Sequence, residues 1–315
     1  MEEAKTAGPP GSAKGRIAAL IWKHRMVYTL LIPGLIWYVI FAYGPMGGLI
    51  LAFKTYRANL GIWGSPFVGL KNFDYVFVDA AFYRSVLRTL TINIGRMLFQ
   101  FPMPIVLALL LNELRFSKLK RLVQTVLTFP HFLSWVVVAS ILINTFAYNG
   151  LVNSVIKLFG AETVNFLGNG KIFVPFLYVT EVWKNAGWGA IVYLAAIAGI
   201  DQDQYEAAEI DGASRLQRLT LITLPNIVPA IIVMFILAMG NLMSSGFDQV
   251  FNLSNAAVRE AAETLDMYIY RITFLGPPNF AFSTAVSLFR SVVNMIFLLM
   301  ADKGAKLMGS EGLLS

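Results

Sequence analysis

Long apolar runs separated by short polar segments are the dominant feature of this chain. The first run, from Met26 to Phe53, contains no charged residue. Five further runs follow, and each is long enough to cross a hydrocarbon core of about 30 Å as a helix. The pattern predicts an all-α polytopic membrane protein with six transmembrane helices, at about residues 26–53, 84–112, 122–147, 172–200, 227–250 and 279–300. Because a helix over the whole first run would be about 42 Å long, we expect it to tilt or to break near Gly44-Pro45.

Composition narrows the classes of function. Of the 315 residues, 57% are hydrophobic and only 14% are charged, which excludes an ordinary soluble domain. The chain has no cysteine and two histidines, so disulfides and thiolate metal sites are excluded and few imidazole ligands are available. We therefore expect neither a metal ion nor a cofactor in this chain.

The distribution of Lys and Arg predicts the orientation in the membrane. Six spans place both termini and the polar segments 113–121 and 201–226 on the same side. Together these regions carry nearly twice as many Lys and Arg residues as the three opposite loops, so the positive-inside rule places them in the cytoplasm. This asymmetry explains the net charge of +7 without nucleic acid as a partner. The predicted organisation is a basic cytoplasmic segment at 1–25, a membrane domain at 26–300 and a cytoplasmic tail at 301–315.

The segment 201–226 is the longest polar interruption in the second half of the chain. Gly212 occupies a position where a helix end favours a residue with positive φ, and Pro225 is expected to stop a second helix. The segment therefore predicts two short helices joined at a glycine. Each helix begins with a capping-box pattern, Asp201 with Gln204 and Ser214 with Gln217.

The spacing within this segment resembles the cytoplasmic signature of permease subunits of binding-protein-dependent ABC importers. The resemblance runs from Glu206 to Pro229. It implies the type I ABC importer permease fold, in which this segment is a coupling helix that docks into a cleft on a separate ATPase. The residues to which it assigns this contact are Glu206, Ala207, Ala208, Asp211, Gly212, Ala213, Leu224 and Pro225.

No nucleotide site is evident in the sequence. The fragment nearest to a P-loop, Gly170-Lys171, is followed by Ile172 and has Asn165 where the first glycine belongs. The chain is therefore expected to be a transport subunit without enzymatic activity. The resemblance implies as partners a homologous second permease subunit, a cytoplasmic ATPase dimer that binds ATP and Mg²⁺, and an extracellular lipid-anchored solute-binding protein, all at a bacterial plasma membrane.

Polar residues within the predicted spans are candidates for a water-filled path, because charges inside a bilayer are costly. Arg96 and Arg290 belong to this group, although Arg290, Arg84 and Arg88 can alternatively snorkel to an interface. Asp248 has a structural alternative at the outer end of the fifth span. The candidate pathway residues are Trp183, Lys184, Asn185, Trp188, Tyr193, Asn241 and Asp248.

Aromatic faces and amides of this kind favour a carbohydrate, and a second resemblance supports this class. Four motifs look like a branch of carbohydrate importer permeases, the LplB-like proteins, that handles complex oligosaccharides. In some relatives these oligosaccharides are acidic and derive from pectin or alginate, for which Lys184 and Arg96 would be suitable counter-charges. The motifs are Pro33-Gly34, Tyr43-Gly44-Pro45, Ala52-Phe53-Lys54 and Gly69-Leu70-Lys71-Asn72-Phe73.

Three other functions compete with this interpretation. A permease for another solute class, such as peptides or phosphate, would share the coupling segment. A passive channel would not need that segment. An intramembrane protease would need a Ser–His pair, two aspartates or a zinc-binding motif, but His131 is the only histidine in a predicted span and no G-x-S-x-G accompanies it.

Overall fold

A computed structural model of the chain describes residues 22–244, 246–310 and 312–313. Among these residues the structure is helical, and the only β pairing is an isolated bridge between Lys54 and Phe67. The first half contains α1 (Arg25–Trp37), α2 (Gly61–Gly64), α3 (Lys71–Val78), α4 (Ala80–Gln100), α5 (Pro102–Asn112), α6 (Ser117–Thr128), α7 (Trp135–Phe146) and α8 (Leu151–Leu158).

The second half of the chain continues with eight helices. These are α9 (Gly170–Ala198), α10 (Gln202–Ile210), α11 (Arg215–Arg218), α12 (Leu224–Met239), α13 (Phe247–Leu253), α14 (Arg259–Ala262), α15 (Leu265–Phe274) and α16 (Phe280–Leu307). Shorter helical segments of other types complete the described part, with π turns at Tyr38–Tyr43 and Leu219–Thr223, an α turn at Gly44–Met46 and 3-10 segments at Gly47–Phe53, Phe129–Phe132 and Ala256–Val258.

Five helical stretches in the described residues are long and apolar enough to cross a membrane. They are Arg25–Phe53, Ala80–Asn112, Trp135–Leu158, Arg215–Met239 and Phe280–Leu307. The fourth predicted span, 172–200, is not among them and corresponds to α9, whose 29 residues would reach about 43 Å. It is less apolar because polar residues occupy its middle, and these are turned toward neighbouring helices. The six-span count remains a prediction that the length of α9 supports.

The boundaries of two predicted spans are wrong. The stretch 122–147 is interrupted at Pro130, which lacks an N–H and lies in the 3-10 segment that separates α6 from α7. The fifth span ends at Met239 instead of continuing to residue 250, and Gly246 then takes a φ of +88° before α13 begins. The predicted break at Gly44-Pro45 is a change from π to 3-10 winding within a continuous helical stretch.

The predicted stop at Pro225 is also wrong. Pro225 is the second residue of α12 and follows closely on the π turn at Leu219–Thr223, so the helical stretch contains the proline instead of ending at it. The chain remains helical from Arg215 to Met239 through the π turn at Leu219–Thr223. At the other end of the chain α16 continues to Leu307, beyond the predicted start of the tail at 301. The predicted N-terminal segment lies, up to residue 21, outside the described residues.

Helix α9 is the central element of the core. It contributes Phe173 and Leu177 to one buried cluster, with Val250 and Leu253, and it contributes three residues to a second cluster. Those three are Ala190, Tyr193 and Ile197. Small residues allow close packing here, since a Cβ on Gly187 would overlap the backbone carbonyl of Leu127 in α6. The position of α9 therefore depends on glycine as well as on apolar side chains.

We expect the substitution Gly187→Ala to lower the stability of the protein, because the added methyl group forces α9 away from α6. Overpacking of this kind costs about 1–3 kcal/mol. The midpoint of thermal unfolding in detergent measures the effect. Gly304→Ala is the matched control, since Gly304 also lies in a long helix and has open space at its Cβ. Equal midpoints for the two variants would contradict this account.

Candidate translocation site and coupling loop

The segment 201–226, which we call the coupling loop after its predicted role, begins with a capped helix. The Oδ1 atom of Asp201 accepts a hydrogen bond from the backbone N–H of Asp203 at 3.1 Å. Gln204 does not complete the predicted capping box, because its Oε1 accepts a hydrogen bond from Asn226 at 3.1 Å. That half of the prediction is wrong, and the side chain instead ties α10 to the start of α12.

The turn at Gly212 is formed as predicted. Gly212 has a φ of +77°, and its N–H donates to the carbonyl of Glu209 at 3.1 Å. The N–H of Ala213 donates to the carbonyl of Ala208 at 2.8 Å, which completes a Schellman motif. Both hydrogen bonds of the capping box between Ser214 and Gln217 are also present, so this prediction is confirmed.

The coupling loop presents apolar side chains on an otherwise polar surface. Ile210 is 87% exposed and Leu216 is 70% exposed. Glu206, Ala207, Asp211, Gly212 and Pro225 are exposed as well, whereas Ala208, Ala213 and Leu224 are half-buried. Exposed apolar residues grouped in this way are typical of a protein interaction surface.

Two contacts hold the coupling loop in position. Arg218 forms an ion pair with Glu209 at 3.0 Å, which joins the two arms. The hydroxyl of Tyr205 lies 2.8 Å from Thr223 Oγ1, and the Tyr205 ring packs on the cluster formed by α9 and α12. The loop is therefore attached to both helices that flank it in the chain.

A cavity of about 360 Å³ lies among α4, α5, α9 and α12, and we call it the central cavity. Four of the predicted pathway residues line it: Asn185, Trp188, Tyr193 and Asn241. Arg96, also a predicted candidate for the path, lies in the same wall, and the structure adds three polar residues that were not predicted, namely Asn93, Gln100 and His131. Apolar side chains such as Met97 and Phe101 complete the wall, so the cavity combines apolar surface with a few polar groups, as ligand sites do.

Three predicted pathway residues lie elsewhere. Lys184 is buried, and its Nζ donates to the backbone carbonyl of His131 at 2.8 Å. Its ammonium group also lies 5.6 Å from the centre of the Trp135 ring, so it fixes the turn between α6 and α7. Trp183 does not line the cavity and is half exposed, and Asp248 is exposed on α13. Arg290 is ion-paired with Asp266 on α15.

Arg96 is held at the wall of the central cavity by a buried network. Its Nη2 donates to Gln249 Oε1 at 2.6 Å, and the Nε2 of Gln249 donates to the Leu177 carbonyl at 2.7 Å and to Thr180 Oγ1 at 2.9 Å. Gly246 leaves room for the guanidinium, because a Cβ there would overlap it. Among the described residues, Arg96 Nε has no hydrogen-bond partner.

A second network contributes the α9 side of the cavity. The Nδ1 atom of His131 lies 2.8 Å from Asn185 Oδ1, and Asn185 Nδ2 donates to Glu181 Oε1 at 2.7 Å. Since the Asn185 amide donates to Glu181, its oxygen accepts the Nδ1 proton of His131. The His131 ring stacks on Trp188 with 4.7 Å between ring centres and an angle of 2°. The result is an aromatic platform beside an amide.

Sequence reasoning missed the roles of Glu181 and His131, and the only available signal was weak. Glu181 stands three and four residues before Lys184 and Asn185, which places all three near one face of a helix. Nothing in the sequence indicated that His131 would approach this face. Within the described ranges, no group of three or more His, Cys, Asp and Glu side chains is placed to hold a metal ion.

Comparison with known proteins identifies the class. Residues 100–302 match the family model of the binding-protein-dependent transport system inner membrane component, and the chain belongs to this family. It is thus a multi-pass permease subunit of an ABC importer, a transport component whose ATPase activity resides in a separate subunit. The predicted class and fold are confirmed.

Particular relatives can be named within this family. The chain is 41% identical over 299 residues to the polygalacturonan/rhamnogalacturonan transport system permease protein YteP of Bacillus subtilis (strain 168), which covers 95% of this chain and 93% of the relative. It is 42% identical over 296 residues to Protein LplB of the same organism, covering 94% and 93%. A solved bacterial alginate ABC transporter, in complex with alginate pentasaccharide-bound periplasmic protein, includes a chain with 35% identity, a TM-score of 0.85 and coverage of 95% and 100%.

We expect Gln249→Met to destabilise the protein, since the substitution keeps the side-chain length but removes the buried hydrogen bonds that Gln249 makes with Arg96 Nη2, the Leu177 carbonyl and Thr180 Oγ1. Each buried polar group left unsatisfied costs about 1–3 kcal/mol. The unfolding midpoint in detergent measures this loss. Gln202→Met, at an exposed position, is the control. A Gln249→Met variant as stable as the control would show that the network contributes nothing to stability.

Proposed function

We propose that this chain forms, with a homologous second permease subunit, the translocation path of an importer for oligosaccharides. The central cavity is the observation that carries the proposal. It offers an aromatic platform at Trp188 and amides at Asn93, Asn185 and Asn241. Aromatic faces pack against the C–H faces of sugars, and amides can both donate to and accept from hydroxyl groups.

The names of the relatives support an acidic oligosaccharide as the substrate. One relative is named for polygalacturonan and rhamnogalacturonan, and a transporter with a similar chain imports the acidic polysaccharide alginate. Arg96 provides a positive charge at the cavity wall; it forms no ion pair within 4 Å among the described residues, although Glu181 is close enough to interact with it electrostatically. The alternative is that this chain belongs to an importer for another solute class. Uptake assays with sugars and with other solutes distinguish the two.

We expect Trp188→Ala to raise the half-saturating concentration of trigalacturonate for uptake into proteoliposomes that contain the complete transporter. Loss of an aromatic contact of about 1 kcal/mol corresponds to about a fivefold rise. Trp183→Ala is the matched control, because Trp183 lies on the same helix with similar exposure, 51% against 45%, and lies outside the cavity. If both variants change uptake equally, the central cavity is not the sugar site.

The coupling loop is the proposed contact with the cytoplasmic ATPase dimer, which binds ATP and Mg²⁺. Ala207 and Ala208 keep α10 thin enough to enter a cleft, as in other helix-in-groove contacts. Glu206 can accept an arginine of the ATPase, and the exposed Ile210 supplies apolar contact area. The structural alternative for Glu206, stabilisation of the dipole of a helix whose first turn it occupies, is not supported, because the acidic residue in the first turn of α10 is Asp203 and Glu206 lies beyond that turn.

We expect Gly212→Val to uncouple ATP hydrolysis from transport. Valine at a φ of +77° introduces backbone strain of about 1–3 kcal/mol and distorts the loop, although open space surrounds the Cβ position. In proteoliposomes, uptake should fall about tenfold while ATP hydrolysis persists. Gly160→Val is the matched control, since Gly160 has the same φ and equally open surroundings near α8. Normal uptake by Gly212→Val would contradict the coupling role.

The remaining partners and the orientation belong to the same proposal. Both termini and the coupling loop are placed in the cytoplasm by the distribution of Lys and Arg. An extracellular lipid-anchored binding protein would deliver the sugar at the opposite end. No residue of helix α1 is buried within this chain. We therefore propose that lipid and the second permease subunit surround α1.

A further inference from the structure

A second polar cavity lies at the end of the molecule opposite the coupling loop. Helix α4 begins there at Ala80, and α5 ends at Asn112, which shares a cavity with coupling-loop residues. The two helices together would separate these ends by about 50 Å. The cavity has a volume of about 870 Å³, and four arginines contribute to its lining, Arg84, Arg88, Arg259 and Arg271. We call it the outer cavity.

The outer cavity carries an excess of positive charge, because its four arginines face only two carboxylates in the lining. Arg271 is paired with Glu263 at 2.7 Å. Over the described part of the chain, no carboxylate lies within 4 Å of Arg84, Arg88 or Arg259. Glu260 is the one other acidic residue of the lining. Arg84 and Arg88 are four residues apart on one helix, where like charges repel each other, and a bound anion would relieve this repulsion.

The walls of the outer cavity are fixed to each other. The N–H of Leu265, at the start of α15, donates to Thr89 Oγ1 at 2.7 Å, and Thr89 adjoins Arg88 on α4. The Tyr268 hydroxyl donates to Asp79, which also caps α4 through the N–H of Ala81. Burial raises the pKa of Tyr268, and the hydrogen bond to Asp79 raises it further, so the phenol remains a donor. The helices that carry Arg84, Arg88 and Arg271 are therefore held in fixed positions relative to each other.

We propose that the outer cavity is a separate anion-binding site. It binds the carboxylates of an acidic oligosaccharide before the oligosaccharide reaches the central cavity. The proposal rests on the proposed function as an importer of acidic oligosaccharides. A guanidinium presents paired N–H groups that match the two oxygens of a carboxylate. Several arginines spread over one cavity suit a polyanion with repeated carboxylates better than a small acid with one.

The test uses the complete transporter in proteoliposomes of zwitterionic lipid, with trigalacturonate as the probe. The triple variant R84Q/R88Q/R259Q should raise the half-saturating concentration about tenfold, since each exposed ion pair changes affinity about twofold. The maximal uptake rate should not change. High salt should weaken uptake by the wild type more than by the variant, because these charges are exposed. The variant R84K/R88K/R259K keeps the positive charges but lacks the paired N–H groups of the guanidinium. Its half-saturating concentration should lie between those of the wild type and R84Q/R88Q/R259Q.

A matched control removes the same charge elsewhere. Arg57, Lys71 and Lys157 are exposed, belong to the segments predicted to connect the spans at the same end, and do not line the outer cavity. R57Q/K71Q/K157Q should leave the half-saturating concentration close to that of the wild type. Equal effects of the two triple variants would mean general electrostatic attraction and would overturn the proposal. Fully methyl-esterified trigalacturonate, which is neutral, should not distinguish the wild type from R84Q/R88Q/R259Q.

Three further outcomes are decisive. The proposal fails alone if the wild type imports trigalacturonate and R84Q/R88Q/R259Q has the same half-saturating concentration. If this variant changes only the dependence of uptake on anionic lipid, the arginines bind lipid phosphates and the proposal is overturned. If the wild type imports a neutral saccharide but not trigalacturonate, the acidic-substrate proposal fails together with this one.

Discussion

Polar groups inside the membrane need partners within the protein, and this requirement governs the packing of the chain. The hydrocarbon core contains no water to satisfy them. Helix α9 carries Glu181, Lys184 and Asn185 in its middle, and each of them has a partner on another element. A helix with such a sequence cannot face lipid on all sides, so it becomes the centre around which the other helices pack.

The same requirement shapes the central cavity. Lys184 holds the turn between α6 and α7 through the carbonyl of His131, and this places the His131 ring against Trp188. On the α4 side Gln249 fixes Arg96 from α13. One set of contacts therefore both stabilises the fold and positions the side chains that line the cavity. Lys184 has a structural role that the pathway hypothesis did not assign to it, while its neighbour Asn185 faces the cavity.

Covalent continuity links the two candidate sites. The coupling loop joins α9 to α12, and both helices line the central cavity, through Trp188 on α9 and Met234 on α12. The Tyr205–Thr223 contact and the cluster around Ile197 and Ile227 hold the loop against these helices. A displacement of the loop would therefore reach the cavity as movement of whole helices, without needing a chain of flexible side chains.

The sequence alone determined the membrane class, most of the spans and the local geometry of the coupling loop. Length and apolarity are properties of single segments, and the turn at Gly212 and the cap at Ser214 depend on residues only a few positions apart. It misplaced the ends of two spans and the role of Pro225, because proline is compatible with both a stop and a first turn.

Only the tertiary structure decided which polar side chains share a cavity. Adjacent residues on a helix point about 100° apart, so Lys184 and Asn185 serve different surroundings although the sequence offers them together. Arg96 is hydrogen-bonded to Gln249, and Asn185 is hydrogen-bonded to His131. In each pair the two residues are far apart in the sequence. Their meeting depends on how α9 packs, and that is set by close contacts such as Gly187 against Leu127.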